Sequence, residues 1–383
     1  MATKNTKKNK FLTKLILTLI SVVFGLLLAE GVARIFLDPV DYLKPRKIED
    51  EILGFKLGPN SGGHDSWGYR NRSVPDRADI VAIGDSHTYG ISAKASDTWP
   101  SFLEKLSGEK TYNLSLPGYG PVEYYYLLKN KAFDLDPSVV VVGLYFGNDL
   151  LDTYKSVYNN EYWKHLRRAG FQSDEIVKNK EVDVDKFSYK LRHFLPGNSI
   201  VYRIISSSVI GDELRQLRRI YQGEDIIMFE QKQYNIQTGF MPAVRLRALD
   251  LNLASVREGL RISLDMIDRM NEICKEKNTE FIVLLIPTKE SVYSEFIGNN
   301  PLLENTETID KLLAMESEVI KLIIDHLNKN NIAYVNPLGA LRQKTRYEQL
   351  YPKNFGSHNT SNGYRIIAKS ISEYLSKQSA DKF

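Results

Sequence analysis

Five short runs of apolar, largely β-branched residues recur along the chain after residue 78, separated by polar or amphipathic stretches. They are DIVAIG (79–84), KTYNLSL (110–116), SVVVVGLYF (138–146), EFIVLLIP (280–287) and IAYVNP (332–337). Continuous apolar runs of this length are typical of strands that are covered on both faces. The pattern therefore predicts a buried parallel sheet.

Between and after these runs, apolar residues recur at helical spacing. The predicted helices are DTWPSFLEKLSG (97–108), ASVREGLRISLDMIDRMNEICKEK (254–277), TIDKLLAMESEVIKLIIDHLNKN (308–330) and SNGYRIIAKSISEYLSK (361–377). In the first of them Asp97 can cap the N-terminus, Pro100 suits the first turn and Gly108 the end. Alternating strands and helices predict an α/β fold with right-handed crossovers.

Two segments depart from this alternation. Residues 38–78 are rich in Pro, Gly, Asn and Asp and predict an irregular stalk and lead-in to a domain spanning 79–383. Residues of about 150–250 are charged and aromatic, without a convincing apolar strand, and predict a mostly helical insertion. We interpret its basic clusters, HLRRAG (165–170) and LRQLRRIYQGED (214–225), as a solvated face.

The N-terminus combines lysines with an uncharged stretch, LILTLISVVFGLLLA, from Leu15 to Ala29. This pattern predicts a single-pass membrane anchor over residues 15–37 with a cytoplasmic tail at 1–14, because positive residues stay on the cytoplasmic side. The bulk of the chain would then lie outside the cytoplasm, at the cell envelope. A cleaved signal peptide is the alternative, although the following EGVARIFL (30–37) has no clear cleavage site.

Charge and cysteine content exclude several classes of protein. The formal net charge is +4, and five of the positive charges come from lysines at positions 4, 7, 8, 10 and 14. The rest of the chain is thus close to neutral and lacks the basic face that nucleic-acid binding requires. Cys274 is the only cysteine, which excludes an intrachain disulfide and a cysteine metal cluster and predicts a small buried hydrophobe.

Polar residues follow the predicted strands where the strands end, which is the sheet edge at which ligands usually bind. The segments are Gly84-Asp85-Ser86, Asn113 with Gly118 and Gly120, Gly147-Asn148-Asp149, and His358 just before the last helix. A serine hydroxyl needs a base to accept its proton, and histidine titrates near neutral pH. Backbone N–H groups of Ser86 and Gly118 and the amide of Asn148 can donate to an oxyanion. Each segment alone is equally compatible with an ordinary turn.

The order of these segments resembles the SGNH (GDSL-like) hydrolase family, in particular its membrane-anchored members. GDSHTYG (84–90), NLSLPGYG (113–120), GND (147–149) and SHNTSNGY (357–364) are similar to its four blocks. The resemblance implies a flavodoxin-like three-layer α/β/α sandwich. It also implies Ser86 as nucleophile, Ser86, Gly118 and Asn148 as the oxyanion hole, and His358 as general base. Ester or acyl-transfer chemistry with no cofactor and no metal is then expected.

The last block departs from the family at one point. The family has an aspartate two or three residues before the histidine, where this chain has Phe355 and Gly356. We expect His358 to be oriented by a main-chain carbonyl or by Asn354, or to act in a Ser–His dyad. With no carboxylate to raise it, its pKa is expected near that of free histidine.

Three other residues near the blocks are assigned weaker roles. Asp85 is expected to make structural hydrogen bonds, and His87 lies too close to Ser86 in sequence to be its base. Lys289 follows the fourth strand and is a possible substrate-binding residue for an anionic or sugar substrate, or else a solvated loop lysine.

Three functions fit the sequence. The first is a membrane-anchored serine esterase that removes acyl groups, of the acetyl class, from a cell-envelope glycan through an acyl-serine. The second is an O-acyltransferase of the same fold, supplied by a multi-spanning membrane acyl-donor partner. The third is a non-catalytic glycan-binding or assembly protein.

Overall fold

The computed structural model describes residues 2–174, 187–207, 226–297 and 306–380. Its strands, in chain order, are β1 Lys47–Asp50, β2 Gly54–Leu57, β3 Ile80–Gly84, β4 Thr111–Ser115, β5 Val139–Tyr145, β6 Ile227–Gln231, β7 Ile236–Phe240, β8 Glu280–Ile286 and β9 Ala333–Val335.

The helices are numbered in the same way. They are α1 Ala2–Phe36, α2 Pro39–Tyr42, α3 Ser86–Tyr89, α4 Trp99–Ser107, α5 Pro121–Asn130, α6 Asp149–Asn159, α7 Phe187–Asn198, α8 Ile200–Ser206, α9 Pro242–Leu249, α10 Ala254–Glu276, α11 Lys289–Val292, α12 Ser294–Ile297, α13 Glu307–Lys329, α14 Leu338–Lys344 and α15 Ser361–Ala380.

The five predicted strands form one parallel sheet in the order β4-β3-β5-β8-β9. Counting only the strands of this sheet, the order is 2-1-3-4-5, which is the flavodoxin-like arrangement. Gly84, at the end of β3, lies opposite Ser115 of β4 and Gly143 of β5. The segments that follow these three strands therefore emerge at the same edge of the sheet.

Helices cover both faces of the sheet, so the predicted three-layer α/β/α fold class is confirmed. Alternate strand residues such as Val81 and Ile83 pack in one core with α5, α6, α10 and α13. Their neighbours Ile80 and Ala82 pack in a second core with α4 and α15. This two-sided burial explains why the strands are continuously apolar. Cys274 is buried in the first core as predicted.

The N-terminal helix α1 is continuous to Phe36, and an 18-residue window within its segment Phe11–Phe36 has a mean hydropathy of 2.4. The apolar side chains along this segment are exposed. Length and composition fit both a membrane span and a signal sequence, as predicted from the sequence.

Residues 38–78 differ from the predicted irregular stalk. They contain α2 and the antiparallel hairpin β1–β2, and Leu57 and Tyr69 are buried in the first core. Tyr112 of β4 donates its hydroxyl proton to Asp65 at 2.7 Å. This segment is thus packed onto the sheet domain, because its scattered apolar residues complete the core beside β4.

The insertion also contains a hairpin that the sequence did not predict. Strands β6 and β7 pair antiparallel, and Phe229 and Phe240 are buried in the second core. Short strands with few apolar residues give a weak sequence pattern, which is why the helical prediction missed them. The basic cluster at 214–225 lies outside the described residues.

Candidate active site

A tight turn between β3 and α3 presents Ser86 at the sheet edge. Asp85 caps α3 by accepting the His87 N–H at 2.7 Å. A side-chain carbon at Gly84 or Gly143 would collide with Thr88 of α3, so both glycines let this short helix sit close against the sheet. The first residue of α3 is therefore held at the carboxyl ends of β3 and β5.

Ser86 and His358, 272 residues apart in sequence, form a hydrogen bond of 2.8 Å between Ser86 Oγ and His358 Nε2. The Asp85 Oδ2 atom lies 3.0 Å from the same Oγ. Burial raises the pKa of Asp85 to about 6. The serine hydroxyl carries a single proton, and donation of that proton to His358 is the arrangement needed for nucleophilic attack.

No carboxylate hydrogen-bonds His358 in the part of the chain that the structure describes. Burial, together with the positive charges of Arg245 and Lys289, lowers the pKa of His358 to about 3. The sequence-based expectation of a pKa near that of free histidine is therefore wrong. The residues around the imidazole, and not only the missing aspartate, determine its protonation.

Lys289 supports the histidine loop, which is the segment from Asn354 to His358. Its Nζ donates to the carbonyl of Gly356 at 2.9 Å and to Thr238 Oγ1 at 3.1 Å, and only 1% of the residue is exposed. Burial lowers the pKa of Lys289 to about 7. A side chain enclosed in this way is not the solvated loop lysine that was the alternative, whereas the substrate-binding role stays a prediction.

Asn354 shapes the same loop. Its Oδ1 accepts the Gly356 N–H at 2.8 Å, and its main-chain carbonyl accepts the Gly239 N–H of β7 at 3.0 Å. None of the described hydrogen bonds joins Asn354 to His358. The structure therefore places Asn354 as a support of the loop, while its predicted role in orienting the imidazole finds no contact.

The two other predicted oxyanion donors lie on the segments that follow β4 and β5. Gly118 has a φ of +88°, which favours glycine, and a side-chain carbon there would meet no atom closer than Phe55 at 4.0 Å. Asn148 donates one amide proton to Asp152 at 2.7 Å. An amide carries two such protons, so the second remains for an oxyanion.

Two aspartates lie near this edge without contacting the histidine. Asp149 is fully buried and accepts the Tyr145 N–H at 2.9 Å and the Tyr124 hydroxyl at 3.1 Å. These bonds fix the turn that carries Asn148. Asp152 orients the Asn148 amide, and neither carboxylate completes a triad with His358.

His87 packs behind the pair. Its ring lies 3.7 Å from Tyr145 and 4.6 Å from His358, measured between ring centroids. Burial, assisted by His358 and Arg245, lowers the pKa of His87 well below its usual value. His87 makes no described hydrogen bond to Ser86, in agreement with the prediction that it is not the base.

Arg245 of α9 is a residue of this site that sequence reasoning missed. It donates to the Gly147 carbonyl at 3.2 Å and to Ser357 Oγ at 3.1 Å, and it lies over the Tyr145 ring. It thus links the segment after β5 to the histidine loop. The only local signal was Pro242, which is suited to begin the helix that carries Arg245.

Arg70 supports the loop that follows Ser86 and α3. It is buried, donates to the Gly90 carbonyl at 2.7 Å and the Ala93 carbonyl at 3.0 Å, and pairs with Asp41 at 3.3 Å. The loop after Ser86 is in this way attached to α2, which directly follows α1. Among the described residues, no group of His, Cys, Asp or Glu side chains is arranged to hold a metal ion.

No protein-family model matches the sequence, and no curated protein is similar to it. Solved structures similar to the chain include a catalytic mutant of an acetylxylan esterase from Geobacillus stearothermophilus, with 9% identity and a TM-score of 0.37, covering 78% of this chain and 94% of that one. Another is a GDSL-like lipase from Bacteroides thetaiotaomicron, with 12% identity and a TM-score of 0.35, covering 78% and 88%. A member of the lipolytic G-D-S-L family from Veillonella parvula has 11% identity and a TM-score of 0.35, covering 77% and 96%.

At these values the likeness to solved structures carries no conclusion about activity. The 2-1-3-4-5 sheet and the positions of the four sequence blocks on one edge of it are features of this chain itself. The chain has a flavodoxin-like three-layer α/β/α fold, and Ser86 and His358 of the first and last blocks that resemble the SGNH (GDSL-like) hydrolases meet at the carboxyl edge of its sheet.

Proposed function

We propose that the protein is a serine esterase that acts through an acyl-serine. The observation that supports this most directly is the 2.8 Å hydrogen bond between Ser86 Oγ and His358 Nε2 at the carboxyl edge of the sheet. Two side chains so far apart in sequence meet at a distance suited to proton transfer. Acyl esters with a small acyl group, of the acetyl class, are the proposed substrates.

In the proposed reaction, Ser86 Oγ attacks the ester carbonyl while His358 Nε2 accepts its proton. The N–H groups of Ser86 and Gly118 and the free amide proton of Asn148 stabilise the oxyanion that forms. His358 then returns the proton to the departing alcohol, leaving the acyl group on Ser86. Water, activated by His358, hydrolyses the acyl-serine in the second half of the reaction.

The test is to compare wild type with Ser86→Ala on a short-chain aryl ester and with a fluorophosphonate that labels activated serines. We expect turnover and labelling to disappear in Ser86→Ala with an unchanged thermal midpoint. Ser107→Ala is the matched control, because Ser107 ends α4 at the opposite edge of the sheet, before β4 begins. A Ser86→Ala protein that still turns over ester would remove Ser86 as nucleophile. A wild type inert to both probes would favour the non-catalytic glycan-binding alternative.

We further propose that α1 remains as a membrane anchor and that the substrate is an acylated cell-envelope glycan. The lysines before Leu15 support a cytoplasmic tail. Protease added to intact spheroplasts should then digest the domain while a cytoplasmic marker stays intact. Protection of the domain under the same conditions would reverse the topology.

The same acyl-serine can pass its acyl group to a sugar hydroxyl instead of water, with a multi-spanning membrane protein as the acyl donor. The two outcomes are separated by mass spectrometry of a deacylated glycan incubated with acyl donor. A deacylated glycan that gains acyl groups from the donor indicates transfer. An acylated glycan that loses its acyl groups, with no gain by the deacylated glycan, indicates hydrolysis.

A further inference from the structure

Helices α7 and α8 expose an apolar face at the membrane end of the protein. On α7, the side chains at positions 187, 191, 194 and 195 recur at helical spacing and share one face. Phe187 is 79% exposed, Leu191 65% and Phe194 61%. Ile204 on α8 is also exposed. Large side chains exposed in succession on one helix face indicate a surface that contacts another phase or molecule.

Hydrogen bonds attach this helix pair to the end of α1. Glu30 of α1 caps α8, accepting the Ile200 N–H at 3.1 Å, the Val201 N–H at 3.0 Å and the Ser199 hydroxyl at 2.9 Å. Arg34 of α1 donates to the Asn198 carbonyl at 2.6 Å. Further bonds run from Arg203 to the Tyr42 carbonyl and from the Lys44 N–H to the Pro196 carbonyl. The position of α7 and α8 along α1 is therefore fixed.

The length of α1 locates this attachment relative to a bilayer. The predicted anchor begins with the uncharged stretch Leu15–Ala29; with Phe11, Leu12 and Lys14, whose long side chain can extend to the headgroups, residues 11–29 are about 28 Å long at 1.5 Å per residue, close to the roughly 30 Å of a hydrocarbon core. Glu30 and Arg34 are the first charged residues beyond it. A helix pair capped by Glu30 lies at the level of the lipid headgroups.

We propose that the apolar face of α7 and α8 inserts into the outer leaflet beside α1, so that the protein contacts the membrane through a span and an interfacial helix. The composition of α7 fits this role, because Lys190 and Arg192 flank the apolar stripe on its two sides. Basic residues bordering an apolar face suit anionic lipid headgroups. The inference rests on the proposed anchoring by α1.

The helix pair is attached to α1 at Glu30 and Arg34, and the apolar side chains of Ile35 and Phe36 next to this attachment are exposed as well. This proximity to the proposed anchor favours lipid over a protein partner as the occupant of the face. A helix pair held at the headgroup level by α1 faces lipid as soon as α1 crosses the bilayer. The arrangement also keeps the sheet domain at a fixed distance from the membrane, since Arg70 and Asp41 connect the region after α1 to the loop that follows Ser86.

The test places an environment-sensitive fluorophore on single cysteines of the full-length protein. Leu191→Cys and Phe194→Cys probe the face, and Tyr347→Cys, 77% exposed on the sheet domain, is the control. The native Cys274 is buried, and the labelled wild type gives the blank. The protein is reconstituted in vesicles of phosphatidylcholine and phosphatidylglycerol that contain doxyl-labelled lipid.

We expect blue-shifted emission and quenching by the doxyl lipid at positions 191 and 194, and water-like emission with neither effect at 347. Vesicle flotation reports separately whether α1 anchors the protein. If the protein floats while 191 and 194 stay water-like and open to iodide, the membrane-contact proposal fails although the anchor stands. If those positions are shielded only in native membranes, a protein partner covers the face and the lipid proposal is again overturned. Failure to float would refute the anchor on which the proposal rests.

Discussion

The protonation of His358 can be tested directly, because the structure gives it an unusual environment for a general base. Burial and the charges of Arg245 and Lys289 lower its pKa from 6.5 to about 3. At about pH 5, a histidine with the ordinary pKa is roughly 97% protonated, whereas His358 is about 1% protonated. We expect His358 to remain a neutral imidazole throughout the range from about pH 5 to 8.

The assay is a nitrogen-15 titration of the histidine side chains. The chain has 6 histidines, and the resonances of His358 are identified by their absence in His358→Gln. In wild type, these resonances should keep the shifts of a neutral ring across the titration. A protonation midpoint between about pH 5 and 8 would contradict the structure, in which burial and nearby positive charges keep the imidazole neutral.

Arg245 provides the matched pair of variants. Arg245→Gln removes the guanidinium charge and should move the pKa of His358 upward, whereas Arg245→Lys keeps a positive charge and should move it less. Equal titration of both variants and wild type would refute the electrostatic role of Arg245 while leaving burial as the cause.

The same pKa has a consequence for stability. Because the folded state holds His358 neutral, the unfolded state binds more protons below pH 6.5, and stability falls as pH decreases from 6.5 toward about 3. A pKa difference of this size corresponds to about 5 kcal/mol at 1.36 kcal/mol for each pH unit. Denaturant unfolding of His358→Gln should show a correspondingly weaker loss of stability in acid. An identical acid dependence in both proteins would contradict the assigned pKa.

Three further substitutions test individual parts of the site. Gly118→Ala should reduce ester turnover and cost about 1–2 kcal/mol of stability, because its φ of +88° disfavours a side chain. Gly339→Ala, in helix α14 where the side chain meets open space, should leave turnover unchanged and should not lower stability. Asp152→Ala removes the acceptor that orients Asn148 and should lower kcat by less than Ser-to-Ala replacement of the nucleophile does; an equal loss would assign Asp152 to the triad. Wild type should gain stability between about pH 7 and 10.5, because the folded state favours the neutral amine of Lys289 while the unfolded chain still binds the proton. Lys289→Met should abolish this rise in urea unfolding, and an unchanged dependence of stability on pH would refute the burial of the amine.

The sheet could be predicted from the sequence because its strands have no competing interpretation. Runs such as Ile80–Ile83 are short, apolar and β-branched, and both of their faces are covered by helices. Parallel strands place their carboxyl ends together, so the residues following them were expected at one edge. The meeting of Ser86 with His358 follows from that topology.

The residues that hold the site in place, Lys289 and Arg245, could not be predicted because their contacts join segments that are distant in sequence. Lys289 was correctly placed after β8, but its burial depends on Thr238 in a hairpin that the sequence did not reveal. Arg245 belongs to the insertion but lies outside its two basic clusters, and no motif in the sequence singled it out. A missing carboxylate can be seen in the sequence, whereas the two cations that lower the pKa of His358 are seen only when distant segments are brought together.

A neutral base flanked by cations keeps its lone pair free over a wide pH range, yet it accepts a proton only weakly because the imidazolium it becomes is poorly stabilised. Restoring the carboxylate with Gly356→Asp should therefore raise the pKa of His358 and increase kcat. Gly356 has a negative φ, and the new side chain comes closest to Asn354 Oδ1, so the bond from the Gly356 N–H to this oxygen is the contact that must adjust. The new charge would also lie on the residue whose carbonyl binds Lys289. Gly356→Asn, of the same size and uncharged, is the control; a folded Gly356→Asp enzyme with kcat no higher than this control would show that the proton transfer does not limit the reaction.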